Sequence, residues 1–160
     1  MPEPDAELFR KAWGKFATGV SLLTTIQPDG EVHGMSANGI TSVSLEPLCA
    51  LVCVGHNRNS YPLIKEQRRF AISILREEQE DIGEYYARPP EKRTGEVSVS
   101  FAFTENGSAV LDDSLAYLDR HVLHEYVCGA PTIFICSLDQ IQVTDRKPRL
   151  FYDRRAVRPS

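Results

Sequence analysis

The chain predicts a mainly β protein, a closed antiparallel barrel with a few short flanking helices. Many short apolar or alternating runs are separated by tight-turn signals, while helical spacing is confined to a few brief segments. A βαβα rhythm and a Gly-x-Gly-x-x-Gly fingerprint are both missing, which argues against a doubly wound nucleotide-binding sheet. Closing such a set of strands removes the exposed edges that an open sheet would leave.

Ala6, Phe9, Ala12, Trp13 and Phe16 recur at helical spacing after Pro4-Asp5, so an amphipathic helix over 6–16 is expected, covering one end of a sheet. Residues 19–26 are β-branched and apolar, Gln27-Pro28-Asp29-Gly30 marks a turn, and 31–37 returns as the second strand of a hairpin. Glu46-Pro47 breaks the chain before 48–54, a continuous apolar run that suits a strand buried on both faces. Ser60 is the candidate N-cap of a following helix, with Pro62 in its first turn. Residues 69–75 alternate as a strand, and 77–87 form a charged helix with Ile82, Tyr85 and Tyr86 inward. The segment 88–95, with Pro89-Pro90, is a loop, either a solvated connection or a flap over a ligand. Val97, Val99, Phe101 and Phe103 alternate up to the turn signal Asn106-Gly107, which suits a short half-buried strand. Residues 115–128 and 132–143 read as two long strands joined through Gly129-Ala130-Pro131, and 149–152 as a short last strand.

A length of 160 residues suits one domain over 1–160 with a single site. The composition, 42% apolar and 25% charged, is that of an ordinary globular protein. A formal charge of −4 argues against a nucleic-acid or anionic-membrane partner. No apolar run approaches the ~20 residues that span a bilayer. The start, Met1-Pro2-Glu3-Pro4-Asp5, does not resemble a signal peptide, which makes the cytoplasm the expected location. In that reducing compartment Cys49, Cys53, Cys128 and Cys136 are expected as free thiols. The spacing of Cys49 and Cys53 does not make a Cys-x-x-Cys knuckle, and no metal site is expected.

Chemistry points to residues 34–47. Ser36, Asn38, Thr41, Ser42 and Ser44 offer short donors and acceptors there, while Gly34, Ala37 and Gly39 keep bulk low enough for a flat ring system to approach the backbone. The loop Gly55-His56-Asn57-Arg58-Asn59-Ser60 leads into a helix start, where unpaired N–H groups beside Arg58 suit a phosphate; the alternative is an ordinary capped loop with Arg58 solvated. Nucleophile-elbow, paired-carboxylate, metalloprotease and Walker patterns are all missing, so a cofactor must supply the chemistry.

The stretch 34–47, preceded by Phe16-Ala17-Thr18-Gly19-Val20 and followed by Arg69-Phe70-Ala71-Ile72-Ser73-Ile74-Leu75, resembles the small flavin reductases, the reductase components of two-component monooxygenases. The resemblance runs from about Phe9 to about Arg155. It implies a split β-barrel that binds FMN or FAD, with NADH or NADPH as co-substrate, a homodimer, and a monooxygenase as partner. By the same resemblance, Ser36, Ala37, Asn38, Thr41, Ser42, Val43 and Ser44 line the isoalloxazine and ribityl chain, and Asn57, Arg58, Asn59 and Ser60 lie near the phosphate. One feature departs from the pattern. Many relatives carry a Gly-Asp-His turn whose histidine lies on the nicotinamide side, and here the matching residues are Gly129-Ala130-Pro131. His121 and His124 are candidates to replace that imidazole, His33 reads as structural, and no catalytic residue is assigned. Two other readings stay open: an FMN-binding carrier, sensor or electron relay without efficient NAD(P)H oxidation, and a haem protein with His56, His121 or His124 as axial ligand.

Overall fold

A computed structural model describes residues 3–152 and 155–157. Seven antiparallel strands form the main sheet in the order β3-β2-β6-β9-β10-β5-β4. They are β2 (Ser21–Ile26), β3 (Val32–Ala37), β4 (Ile40–Leu45), β5 (Leu48–Gly55), β6 (Arg69–Ile74), β9 (Ala116–Val127) and β10 (Pro131–Val143). A short strand β1 (Thr18–Gly19) pairs with β11 (Leu150–Tyr152), which pairs with β12 (Arg155–Val157), and β7 (Phe101–Phe103) pairs with β8 (Ala109–Leu111).

The sheet curls around one core but does not close. Its edges β3 and β4 follow each other in the chain and pair only with β2 and β5, respectively, so the barrel is split rather than closed. Side chains from the inner faces meet in one cluster that includes Leu23, Met35, Val52, Val54, Phe70, Ile72 and Phe134. Helix α2 (Ser60–Gln67) adds Ile64 to it as a plug. Helix α3 (Glu80–Ala87) and the segment before β8 cover the outside of β2, where Leu22, Leu75, Ile82, Tyr86 and Leu111 form a second cluster. Strand β2 is therefore buried on both faces, as its unbroken apolar and threonine run requires.

Several expectations are corrected here. Residues 40–45 form a strand as well as a polar stretch; their side chains are mostly exposed because β4 is an edge. The alternation of Val97 and Val99 does not make a strand, since both pack against the outer cluster without a ladder and only Phe101–Phe103 pairs. Helix α3 starts at Glu80 rather than at 77, because Gln79 Oε1 accepts the Arg76 N–H at 2.9 Å and holds the preceding residues in a turn. Helix α1 (Ala6–Trp13) is capped by Asp5, whose Oδ1 accepts from Leu8 N at 2.7 Å, but it buries none of its residues and so does not cover the sheet. Phe9 and Trp13 stack on each other while remaining 65% and 63% exposed.

A buried cation lies inside the barrel. Arg120 points inward from β9, is fully buried, and none of its three side-chain nitrogens has a hydrogen-bond partner among the described residues. Its guanidinium lies 5.9 Å from the Phe70 ring centre, and burial holds its pKa down to about 10. An unpaired buried charge is costly, and an apolar side chain of similar length removes that cost. Arg120→Met is expected to raise the unfolding free energy by about 1–4 kcal/mol, read from the urea midpoint at unchanged slope. A lower midpoint would show that the guanidinium has a stabilising partner.

Candidate functional site

Two cavities lie along consecutive residues of β3 and divide the expected site. The first, about 190 Å³, is walled by Val20, Ser36, Ala37, Asn38, Ala87 and Phe151. Ala37 packs against the inner core, and its small side chain leaves the wall flat. The Ser36 hydroxyl is not free, since it donates to the Gly83 carbonyl of α3 at 2.6 Å. Asn38 makes no hydrogen bond within the described chain and remains available.

The second cavity, about 200 Å³, joins His33 and Met35 of β3 to Asn57, Arg58 and Asn59 of the β5–α2 loop. The loop is folded tightly: Arg58 N–H donates to the Gly55 carbonyl at 3.0 Å, and a Cβ at Gly55 would meet Asn57 Oδ1 at 2.8 Å. The expectation for Ser60 is corrected. Asn59 is the N-cap, with helical φ and ψ and no capping bond, so Ser60 is the first helical residue. The Ser60 hydroxyl is fully buried and has no hydrogen-bond partner among the described residues. Ser60 does not line the cavity, Tyr61 N–H donates to the Arg58 carbonyl at 3.0 Å and Pro62 has no N–H. The donors that face the cavity from this side are therefore Asn57, Asn59 and Arg58, which has no acidic partner among the described residues.

Thr41, Ser42, Val43 and Ser44 line neither cavity. They run along the exposed edge strand β4, where Thr41 Oγ1 donates to the Ser42 carbonyl at 3.4 Å and Ser44 Oγ accepts from Glu46 N at 3.2 Å. The register slips between Ser42 and Ser44, which makes a bulge opposite β5.

The opposite wall of the second cavity comes from the loop after α3. Arg88 to Arg93 is more than a solvated connection: Arg93 donates to the Gly34 carbonyl at 2.7 Å and to the Arg88 carbonyl at 3.0 Å, and its guanidinium lies 4.8 Å from the Tyr86 ring centre. A side chain at Gly34 would collide with Tyr86, its Cβ coming 2.7 Å from a ring carbon. Burial, aided by the charge of Arg93, lowers the His33 pKa and keeps that imidazole neutral, in keeping with a structural role. The sequence offered 88–95 as a solvated connection or a flap over a ligand without singling out Arg88 or Arg93, because the segment lies far from β3 in the chain and carries no motif.

The turn Gly129-Ala130-Pro131 presents backbone rather than side-chain donors. Gly129 adopts φ +67°, and the Ala130 carbonyl accepts from His56 N at 3.1 Å. Neither His121 nor His124 reaches it: His121 Nδ1 pairs with Asp139 at 2.8 Å, and His124 lies opposite Ile135, further down the ladder. The imidazole beside the turn belongs to His56, whose Nε2 lies 2.8 Å from Thr132 Oγ1.

The model of the flavin reductase like domain matches residues 13–160, and the chain belongs to that family. An NADH-dependent flavin reductase from Rhodococcus is 33% identical over 156 residues, covering 94% of this chain and 85% of the relative. The native-state structure of flavin reductase PheA2 superposes with a TM-score of 0.90 at 34% identity, covering 98% of this chain and 99% of the other. The flavin reductase of styrene monooxygenase from Pseudomonas putida S12 superposes with a TM-score of 0.86 at 27% identity, covering 95% and 97%.

Proposed function

We propose that the protein is an NAD(P)H:flavin oxidoreductase that reduces FMN or FAD in the cytoplasm and supplies the reduced flavin to a partner monooxygenase. The observation that supports this most is the juxtaposition along β3 of a flat, small-residue wall at Ala37 and Asn38 with a phosphate-type donor set at Asn57, Arg58 and Asn59. A flavin held there would supply the redox chemistry, as acceptor of the nicotinamide hydride. The chain's own residues bind the phosphate, flatten one face of the ring site and hold the ribityl region between them. Anaerobic mixing of flavin-loaded protein with NADH or NADPH tests the reading directly, since bleaching of the oxidised flavin is expected. Ala37→Trp is expected to fill the wall and weaken flavin binding more than tenfold in a fluorescence-quenching titration. Parent-like affinity in a variant with an unchanged circular dichroism spectrum would move the ring site elsewhere.

A second reading, a flavin carrier or relay with little NAD(P)H oxidation, is favoured by one observation: no acid or imidazole side chain projects from Gly129-Ala130-Pro131. Slow bleaching with tight flavin binding would select it.

A homodimer is part of the proposal. Across β4, β5, β10 and β9, Thr41, Leu51 and Ile135 fall in one row, with Cys53, Ile133 and Tyr126 in the next, and this outer face is partly to fully exposed. Tyr126 is 57% exposed, a large apolar loss for a monomer. A second copy on this face would form a self-complementary interface beside the edge strand. Sedimentation at micromolar concentration is expected to give a dimer, and a Tyr126→Glu variant a monomer.

A further inference from the structure

We infer that the groove between the β7–β8 hairpin and strands β9 and β10 is a binding site for an organic ammonium ion that carries a ring. The inference goes beyond the flavin reading and does not depend on it. The cavity there, about 310 Å³, is larger than either cavity along β3 and shares no residue with them. That volume reaches the ~300–1,000 Å³ usual for small-molecule sites. Tyr117 and Gln142 are partners across the β9–β10 ladder and so present their side chains on one face of it. Phe103 of β7, 60% exposed, and Asp112, which follows β8, complete the wall from the hairpin.

The polar groups of this wall divide into those already used and those left open. Thr104 Oγ1 donates to Asp119 at 2.9 Å, Thr144 Oγ1 donates to the Leu115 carbonyl at 2.8 Å, and Asp113 is paired with Arg76 and Arg146. The others are open to a ligand. The Ser114 hydroxyl belongs to a residue only 8% exposed, yet it has no hydrogen-bond partner among the described residues, and neither the Tyr117 hydroxyl nor the Gln142 amide has one. A hydroxyl so placed is costly unless a ligand or water meets it. Asp112 accepts only a long bond from Ser100 Oγ at 3.4 Å and has no basic partner among the described residues.

No lysine, arginine or histidine lines the cavity, so its one unneutralised charge is the Asp112 carboxylate. An anion is repelled there. A primary ammonium brings three N–H donors and no acceptor, and Asp112, Ser114 Oγ and Gln142 Oε1 are all acceptors. Phe103 and Tyr117 add aromatic surface, which attracts a cation and packs against a ring. A bare metal ion would leave that surface unused, and among the described residues no cluster of His, Cys, Asp and Glu could hold one.

Isothermal titration of FMN-saturated protein with benzylamine, benzyl alcohol and benzoate separates charge from shape, because the three probes share a ring. Benzylamine, protonated at neutral pH, is expected to bind about fivefold more tightly than benzyl alcohol, the size expected of a partly exposed ion pair, and benzoate more weakly than either. Asp112 is exposed and makes only the long Ser100 contact, so Asp112→Asn should fold, and circular dichroism would check this. That variant is expected to weaken benzylamine about fivefold and to leave benzyl alcohol unchanged. Phe103→Leu is expected to weaken both probes, and it decides the matter should Asp112→Asn not fold. Parent-like benzylamine affinity in either folded variant would overturn the inference, as would benzyl alcohol or benzoate binding as tightly as benzylamine. Benzylamine that binds only when FMN is left out would lie in the flavin site and overturn it too, and so would no binding at all.

Discussion

Asp119→Ala is expected to lower the unfolding free energy by about 3–5 kcal/mol, which for a chain of this size is roughly 6–20 °C in Tm. Asp119 is fully buried and accepts from Ser108 Oγ at 2.6 Å, from Thr104 Oγ1 and Asn106 Nδ2 at 2.9 Å each, and from Arg69 at 3.1 Å. It pins the β7–β8 turn onto β9, and β8 in turn covers β2 and β6, where Leu111 N donates to Ser73 Oγ at 2.9 Å. Removing the carboxylate leaves those donors without an acceptor. Burial alone would raise the Asp119 pKa, but the bonds from Ser108, Asn106 and Thr104 together with the charge of Arg69 outweigh it and hold the pKa below the usual aspartate range. The sign follows from that depression. The folded state binds the proton less readily than the unfolded state, so this contribution is complete above the ordinary aspartate pKa and is lost as pH falls through the lower folded value. Thermal melts between pH 7 and pH 2 should show the gap between parent and Asp119→Ala narrowing at the acid end. A gap that stays constant would mean that the carboxylate is already protonated in the fold.

Restoring the acid and imidazole of the relatives, Ala130→Asp with Pro131→His, is expected to raise kcat/KM for NAD(P)H. A hydrogen bond to a charged group is worth ~1.5–3 kcal/mol, which corresponds to roughly a 10- to 150-fold gain in efficiency. The turn should accept both changes. Gly129 keeps the left-handed φ of +67°, Pro131 has no N–H to lose, and the bond from His56 N goes to the Ala130 backbone carbonyl. The comparison is made at saturating flavin, with flavin affinity measured in parallel. A double variant that binds flavin like the parent but shows no gain would favour another nicotinamide contact, with the His56 ring beside the turn as the first to replace.

The elements whose side chains alternate or run apolar were legible from the chain. Strands β2, β5 and β10 fall close to their expected bounds because burial writes directly into their residue pattern. Strand β4 was read as a ligand stretch, since an edge strand with mostly exposed side chains has no apolar face to announce it. Ser60 looked like an N-cap because serine favours that position, yet Asn59 adopts helical dihedrals first and draws Ser60 inside the helix. The apolar stripe of α1 was readable, but its lack of a cover within the chain was not, because a sequence does not say which surface meets a stripe. Of the candidate residues, Ser36, Ala37, Asn38, Asn57, Arg58 and Asn59, singled out for small or polar chemistry and by the family resemblance, line the two cavities. Arg88 and Arg93 were covered only by the reading of 88–95 as a connection or flap, because the place of Arg93 is set by its tertiary bond to the Gly34 carbonyl and by the Tyr86 ring.

The bulge in β4 bears on how this barrel stays separate from other chains. A split barrel keeps two edge strands whose free backbone groups could template growth of a foreign sheet, and β3 and β4 are those edges. The extra residue between Ser42 and Ser44 breaks the even spacing that an incoming strand would need, and Glu46-Pro47 follows with a charge and a residue that cannot donate. The seam can therefore stay open to a small molecule while resisting the edge-to-edge stacking that seeds aggregates.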